Sequence, residues 1–419
     1  MTISKEIKSK RLAMGLTQLE FSQLLGLGDS GERTVRGWEN EEHLPSKKKM
    51  EEISNLPLKA PFKNATKKSL FTFIDLFAGI GGIRLAFQKN DGRCVFTSEW
   101  DKFAQKTYAS NFGELPKGDI TKVPLSEIPS HDVLLAGFPC QAFSQAGLKK
   151  GFTDTRGTMF FEIQKIVAFH QPAVLVLENV KQLKGHNNGE TLKTILQILR
   201  GEHNQDIPND VPMSIDARQA LSKKLNYWVD YKILRAADFG VPQNRERIFI
   251  VAFNQDKFSQ INFQDIFSWP TPENSETCVG DILEKNSEVH PKYTISEKLL
   301  EGHIRRKKQH IEKGNGFGFS VFKPQDSYTN TLSARYYKDG SEILIDQSKI
   351  KKRPRKLTPR ECARLQGFPE QFIVDAVSDV QIYKQFGNSV TVPVVEAVAK
   401  SVKLTLKKIK RIESQRTNK

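Results

Sequence analysis

Phe73-Ile74-Asp75-Leu76-Phe77-Ala78-Gly79-Ile80-Gly81-Gly82 is an apolar run that breaks into a glycine-rich turn ahead of a helical pattern. Glycines at such a break let a ligand approach the backbone where the N–H groups of a helix start are free. Taken alone, the segment could equally be an ordinary tight turn. Working outward to about residue 253, further β-rich runs alternate with helical stretches: Arg93 to Trp100, His131 to Phe138, Ala173 to Val180, Trp228 to Ala237 and Arg247 to Phe253. This alternation predicts a doubly wound, mostly parallel α/β sheet, which gathers its ligands at the C-terminal ends of the strands.

Around that core the pattern changes. Residues 1–58 carry short apolar-periodic stretches with polar breaks and predict an all-α domain of several small helices, and residues 59–70, rich in Lys, Pro, Asn and Thr, read as a linker. With the catalytic unit placed at 71–253, residues 254–355 lose the alternation and predict a small β-rich domain. Residues 356–419 resume helical character and end in a basic tail. The chain holds 64 lysines and arginines against 48 aspartates and glutamates, a formal charge of +16 that favours a polyanionic partner. The N-terminus lacks an apolar signal core and no run is long enough for a membrane span, so a cytoplasmic protein is expected. The four cysteines stand far apart, and neither a C-x-x-C pair nor H-E-x-x-H occurs; no metal and no disulfide framework are expected, and a functional cysteine would act as a thiol.

Chemistry-bearing residues fall at the strand ends. Glu99 closes the second run with Trp100 after it, and an acid there typically accepts ribose hydroxyls; Asp119, followed by Ile120, ends a third segment. Gly, Glu and Asp at three strand ends, with no G-K-[ST] following, point to an adenosine-containing cofactor and away from a bare phosphate. Gly137-Phe138-Pro139-Cys140-Gln141 follows an apolar strand. A lone Cys in such a place is more often a small buried hydrophobe. Against that stand Glu178-Asn179-Val180 at the end of one strand and Gln243-Asn244-Arg245-Glu246-Arg247 leading into another, which bring an acid and cations to the same sheet edge as the thiol.

These blocks, in this order over about residues 71 to 400, resemble the DNA cytosine-C5 methyltransferase family, with P-C-Q, E-N-V, Q-x-R-x-R and G-N-S-V each represented. Phe138 stands where the family often has a first proline, while Pro139 is kept. The resemblance implies S-adenosylmethionine as methyl donor, held by Phe77, Gly79, Gly81, Glu99, Trp100, Asp119, Ile120, Pro139, Met159, Asn388 and Ser389. It implies Cys140 as the nucleophile that adds to cytosine C6, Glu178 as the acid at N3 and the 4-amino group, and Arg245, helped by Arg247, holding the O2 carbonyl or ordering the site. The target base must leave the duplex stack, and the loop from Gln141 to Arg156 is expected to close over double-stranded DNA, with Gln141 and Ser144 among its contacts. Residues 254–355 become a target-recognition domain.

Thr331 to Ile345, TLSARYYKDGSEILI, resembles the recognition block of Dcm-type enzymes of CCWGG and CCNGG sites, which nominates Arg335 as a guanine reader and Lys338 as a phosphate contact. The N-terminal helices resemble a phage-repressor helix-turn-helix, with Gln18 near a phosphate, Arg33, Thr34 and Arg36 facing the major groove, and a possible homodimer on a palindromic promoter site. A bundle that only packs on the catalytic unit is the plainer alternative. Cys362 is expected to be structural. Two further readings stay open here: a tRNA-modifying relative, and a repressor with an inactive catalytic unit.

Overall fold

The structure is a computed structural model, and it describes residues 3–14, 16–56, 60–64, 69–139, 159–203, 213–272, 276–315 and 318–417. Helices α1 (Ile3–Ala13), α2 (Gln18–Leu24), α3 (Gly31–Glu39) and α4 (Lys47–Asn55) form an N-terminal bundle. Ile7, Phe21, Leu25, Val35, Trp38 and Ile53 fill its core. Thr17 starts α2 with a reciprocal cap: its hydroxyl accepts from the Glu20 N–H, and the Glu20 carboxylate accepts from the Thr17 N–H.

The central sheet is built from β1 (Phe71–Leu76), β2 (Gly92–Ser98), β3 (Val133–Gly137), β4 (Val174–Val180), β5 (Tyr227–Arg235) and β6 (Glu246–Asn254), in the order β2-β1-β3-β4-β6-β5. The first four strands run parallel, and β6 is antiparallel to both of its neighbours. Alternate residues feed two cores. Ile74, Leu134, Leu175 and Ile248 face one layer, while Phe73, Leu135, Val176 and Phe249 face the other. Burial on both faces is what makes these strands read as continuous apolar runs.

Helices α5 (Gly82–Lys89), α6 (Lys102–Phe112), α7 (Met159–His170), α8 (Glu190–Arg200) and α9 (Ile215–Ala220) accompany the sheet, and α10 (Phe263–Ile266) and α11 (Glu297–Glu312) follow it. Last come α12 (Pro359–Leu365), α13 (Asp379–Asn388) and α14 (Val392–Thr417), the last of which packs along α5.

The structure corrects the sequence reading in several places. Residues 254–355 were expected to be β-rich, but among the described residues they contain only two short strands, β7 (Val321–Phe322) and β8 (Leu344–Ile345), beside the long helix α11. Their loops are held instead by side chains: the buried Tyr336 donates its hydroxyl to the Ile343 carbonyl at 2.6 Å and accepts from the Leu357 N–H at 2.8 Å. The start of this region belongs to the catalytic unit, because Phe263 and Phe267 pack with Trp228 and Phe253 in the core beneath the sheet.

The described part of the linker is also docked. Phe62 packs against Phe112 and Phe372, and Asn64 exchanges hydrogen bonds with the backbone of Cys94. Helix α1 packs on α6, so the N-terminal bundle rests on the catalytic unit. Cys362 is fully buried, and burial pushes its thiol well above the usual range, as suits a structural residue.

Candidate active site

Beyond β1 the chain turns sharply. Phe77, Gly79 and Gly81 all have left-handed backbones, with φ of 56°, 55° and 88°. For Phe77 this costs roughly 1–2 kcal/mol, which the surrounding structure must hold in place. A Cβ on Gly81 would meet the Phe112 ring at 2.2 Å, so that position accepts only glycine. Glu99 lies across the turn. One of its carboxylate oxygens accepts from the Gly79 N–H and the other from the Asp101 N–H, each at 2.8 Å. Burial raises the Glu99 pKa, and the Asp101 and Gly79 N–H groups oppose the rise. The carboxylate is thereby fixed at the strand end, a place where an acid suits a ribose diol.

Beside Glu99, Trp100 is 80% exposed, an uncommon state for an indole and one that leaves a flat apolar face ready for a base. Asp119 caps the turn at Ile120, accepting from the Thr121 N–H and hydroxyl, and Ile120 is buried beneath. Pro139 lies at the end of the segment after β3, Met159 opens α7, and Asn388 and Ser389 lie at the end of α13. Ser389 comes near this cradle: its hydroxyl oxygen would lie 3.1 Å from a Cβ placed on Gly82. A positive-φ glycine turn, a carboxylate at the strand end and an exposed indole suit an adenosyl group.

On the neighbouring strand end, Gly137 of β3 pairs in register with Glu178 of β4. A Cβ at residue 137 would sit 3.3 Å from Glu178 Oε2, so glycine leaves open the space in front of the carboxyl. Arg247 reaches Glu178 from β6, its Nε 3.1 Å from Oε1. Burial raises the Glu178 pKa, and Arg247 and then Arg245 pull against that rise. The carboxyl therefore holds its proton to higher pH than an exposed glutamate does.

Arg245, expected to hold the O2 carbonyl or to order the site, makes its hydrogen bonds with backbone carbonyls. Its guanidinium donates to the carbonyls of Leu332 at 3.0 Å, Gly387 at 3.2 Å and Ser389 at 2.6 Å. Of the two arginines, Arg247 is the one paired with Glu178.

Asn179, quoted in the E-N-V block but not singled out as a site residue, donates to the Phe138 carbonyl at 3.3 Å and ties down the chain two residues before Cys140. Gln243 was likewise passed over, and it is fully buried in hydrogen bonds. A buried amide in a segment leading into a strand was the available signal. Cys140, Gln141 and Ser144 lie outside the described residues.

In the N-terminal bundle, Gln18 donates to Glu39 at 2.8 Å, and Arg11 donates to the same carboxylate at 2.6 and 2.9 Å. Arg33 and Arg36 are exposed on α3, while the Thr34 hydroxyl donates to the Ser30 carbonyl. Arg335 is exposed in the loop after Leu332, and Lys338 closes a turn by donating its N–H to the Arg335 carbonyl. Among the described residues no group of His, Cys, Asp and Glu could hold a metal ion, and no helix is long and apolar enough to cross a membrane.

The C-5 cytosine-specific DNA methylase family matches residues 71–202 and 219–404. The type II methyltransferase M1.ScrFI of Lactococcus lactis subsp. cremoris is 51% identical over 410 residues, covering 98% of this chain and 97% of its own. The type II methyltransferase M.NlaX of Neisseria lactamica is 51% identical over 340 residues, covering 80% of this chain and 97% of its own. The fold is shared with the Entamoeba histolytica methyltransferase EhMeth, with a TM-score of 0.61 at 20% identity over 80% of this chain and 98% of that one. The chain belongs to the C-5 cytosine-specific DNA methylase family, and it transfers the methyl group of S-adenosylmethionine to cytosine C5 in DNA.

Proposed function

We propose that the chain methylates the inner cytosine of a CCNGG- or CCWGG-type site, protecting DNA from a cognate restriction enzyme. Cys140 is the nucleophile, with Glu178 and Arg247 the groups that hold the flipped base. The observation that carries the chemistry is the partly buried Glu178–Arg247 pair facing the open space at Gly137. A protonated Glu178 donates to cytosine N3, drawing electron density from the ring as the Cys140 thiolate adds to C6. Arg247, paired with Glu178 through Nε, stands beside the acid and orients it toward the base. Asn179, through the Phe138 carbonyl, holds the approach to Cys140 close to that acid. S-adenosylmethionine, when bound in the Gly79–Glu99–Trp100 cradle, supplies the electrophilic methyl group. After transfer, loss of the C5 proton and elimination of Cys140 restore the ring.

Support for the site comes from the likeness of Thr331 to Ile345 to Dcm-type recognition blocks and from exposed Arg335 on that loop. The type II name of M1.ScrFI supports a restriction partner. Mapping methylated cytosines by bisulfite sequencing in cells expressing the chain tests the assignment. Modification at the second cytosine of CCNGG or CCWGG is expected, and modification centred on GATC, GCGC or any site lacking the CC and GG flanks overturns it.

The N-terminal bundle we read as a promoter-binding repressor in the cytoplasm, dimeric on a palindrome, with Arg33 and Arg36 of α3 toward the groove. M.NlaX is matched almost end to end by 80% of this chain, which supports treating the bundle as an addition to a complete catalytic unit. Deleting residues 1–60 is expected to abolish repression of a promoter reporter and leave methylation largely intact. Unchanged reporter activity overturns this part.

A further inference from the structure

Leu332 is fully buried, and both polar groups of its backbone are gripped by side chains of one short block. Its N–H donates to Gln243 Oε1 at 2.9 Å, and its carbonyl accepts from Arg245 Nη1 at 3.0 Å. Both side chains also reach elsewhere. Gln243 Nε2 donates to the Leu365 carbonyl at 2.9 Å, while Arg245 Nη2 donates to the carbonyls of Gly387 and Ser389. Gln366, also buried, donates to the Phe386 carbonyl at 2.7 Å and accepts from the Thr391 hydroxyl at 3.0 Å. Gly387 completes the junction. A Cβ there would lie 2.3 Å from the backbone of Ser333 and Ala334, so the loop rests directly on the end of α13.

Burying a guanidinium is costly, and apolar packing would join two segments with less penalty. What a satisfied polar network adds is one defined geometry. The two segments fixed here are the loop that carries Arg335, three residues beyond Leu332, and the Asn388–Ser389 edge of the cofactor cradle. Among the described residues Arg245 Nε has no acceptor, so the three carbonyls alone set where the guanidinium sits. A displacement of the Leu332 peptide therefore reaches Ser389 through a single rigid fork.

We infer that Gln243 and Arg245 are positioning residues that couple reading of the target sequence to the hold on the cofactor. A correct site seats the loop and tightens the cradle, and an incorrect site does not. The inference rests on the reading of Thr331 to Ile345 as the target-reading loop. Coupling of this kind is reciprocal: the factor by which cognate DNA tightens the cofactor equals the factor by which the cofactor tightens cognate DNA.

The test uses the full-length chain and S-adenosylhomocysteine as probe. Its dissociation constant is measured with a duplex carrying the site found by methylation mapping, and with the same duplex changed at one outer base pair. The unaltered chain is expected to hold the probe at least about fivefold tighter with the cognate duplex, within the usual range of coupling. In Arg245→Lys and Gln243→Leu that ratio falls to about one, and the kcat/KM discrimination between the duplexes falls with it. Partial misfolding lowers the active fraction but leaves both ratios unchanged, so a merely structural role gives a different result.

Thr331→Val removes only the hydrogen bond from the Thr331 hydroxyl to the Asn244 carbonyl at the same junction. It shifts the ratio in the same direction by less, and it decides the matter if the buried variants fail to fold. An unaltered chain whose two constants agree, or variants that keep the ratio, overturn the inference. Arg335→Ala separates the two readings: discrimination that survives it removes the target-reading assignment, whereas discrimination lost there but kept in the other variants removes the coupling alone.

Discussion

Asp75, the next-to-last residue of β1, is fully buried, and among the described residues neither of its carboxylate oxygens has a well-formed hydrogen bond. Burial pushes its pKa from 3.8 up to about 7; the Arg84 cation opposes the rise and Glu99 adds to it. An acid whose folded pKa is raised binds a proton that the unfolded chain releases, so stability declines as pH rises above 3.8 and the loss is complete above about 7. The penalty is roughly 1.7 kcal/mol at pH 5 and about 4 kcal/mol at pH 8.

Asp75→Asn removes this titration while keeping the shape, and its amide can donate to the buried Thr97 hydroxyl, which pairs with it in the β1–β2 register. The stability gap between variant and parent should therefore widen in the variant's favour by about 2–3 kcal/mol between pH 5 and pH 8. At about 2 °C per kcal/mol for a chain of this size, the difference in Tm should grow by roughly 5 °C. Melting both proteins by circular dichroism across that range measures it. Parallel Tm profiles would show that Asp75 is already ionised when folded and would refute the reasoning.

Trp100→Ala is expected to raise KM for S-adenosylmethionine about tenfold with kcat little changed, since stacking on an aromatic ring contributes about 1–3 kcal/mol; steady-state kinetics at saturating DNA checks this. Glu361 is fully buried and takes two 2.7 Å hydrogen bonds from Arg355, so Glu361→Ala should cost about 3–5 kcal/mol in a denaturant titration by leaving a buried cation alone. The raised pKa of Glu178 means that its proton is lost only as pH rises above the usual carboxylate range. The basic limb of the kcat/KM profile that follows this proton should therefore flatten in Glu178→Gln, whose amide has no proton to lose in that range. Gly387→Ala should weaken cofactor and DNA binding together, because a Cβ there meets the Ser333–Ala334 backbone.

All six strands were legible as β-rich runs; in β1, β3, β4 and β6 burial on both faces makes the run apolar nearly throughout, whereas the edge strand β5 is only partly buried. The reversed direction of β6 was not legible, since Arg247 to Phe253 reads as a doubly buried strand whichever way it runs. The insert misled through its glycines and aromatics. Phe263 and Phe267 look like local β signal but serve the catalytic core, and Tyr336 organises loops rather than strands.

At the site, residue types at strand ends nominated Glu99 and Glu178, and the structure places them at the Gly79 turn and in register with Gly137. The division of labour between Arg245 and Arg247 depends on carbonyls at residues 332, 387 and 389, far along the chain, which no local pattern reports. Gln243 escaped notice for the same reason.

The most direct measurement is covalent trapping on DNA with 5-fluorocytosine at the mapped target position, where fluorine cannot leave as the C5 proton does. With S-adenosylmethionine present, the unaltered chain should form an adduct that survives denaturing gels, and Cys140→Ala should form none. An adduct of equal yield in Cys140→Ala would contradict the assignment of the nucleophile and the mechanism built around it.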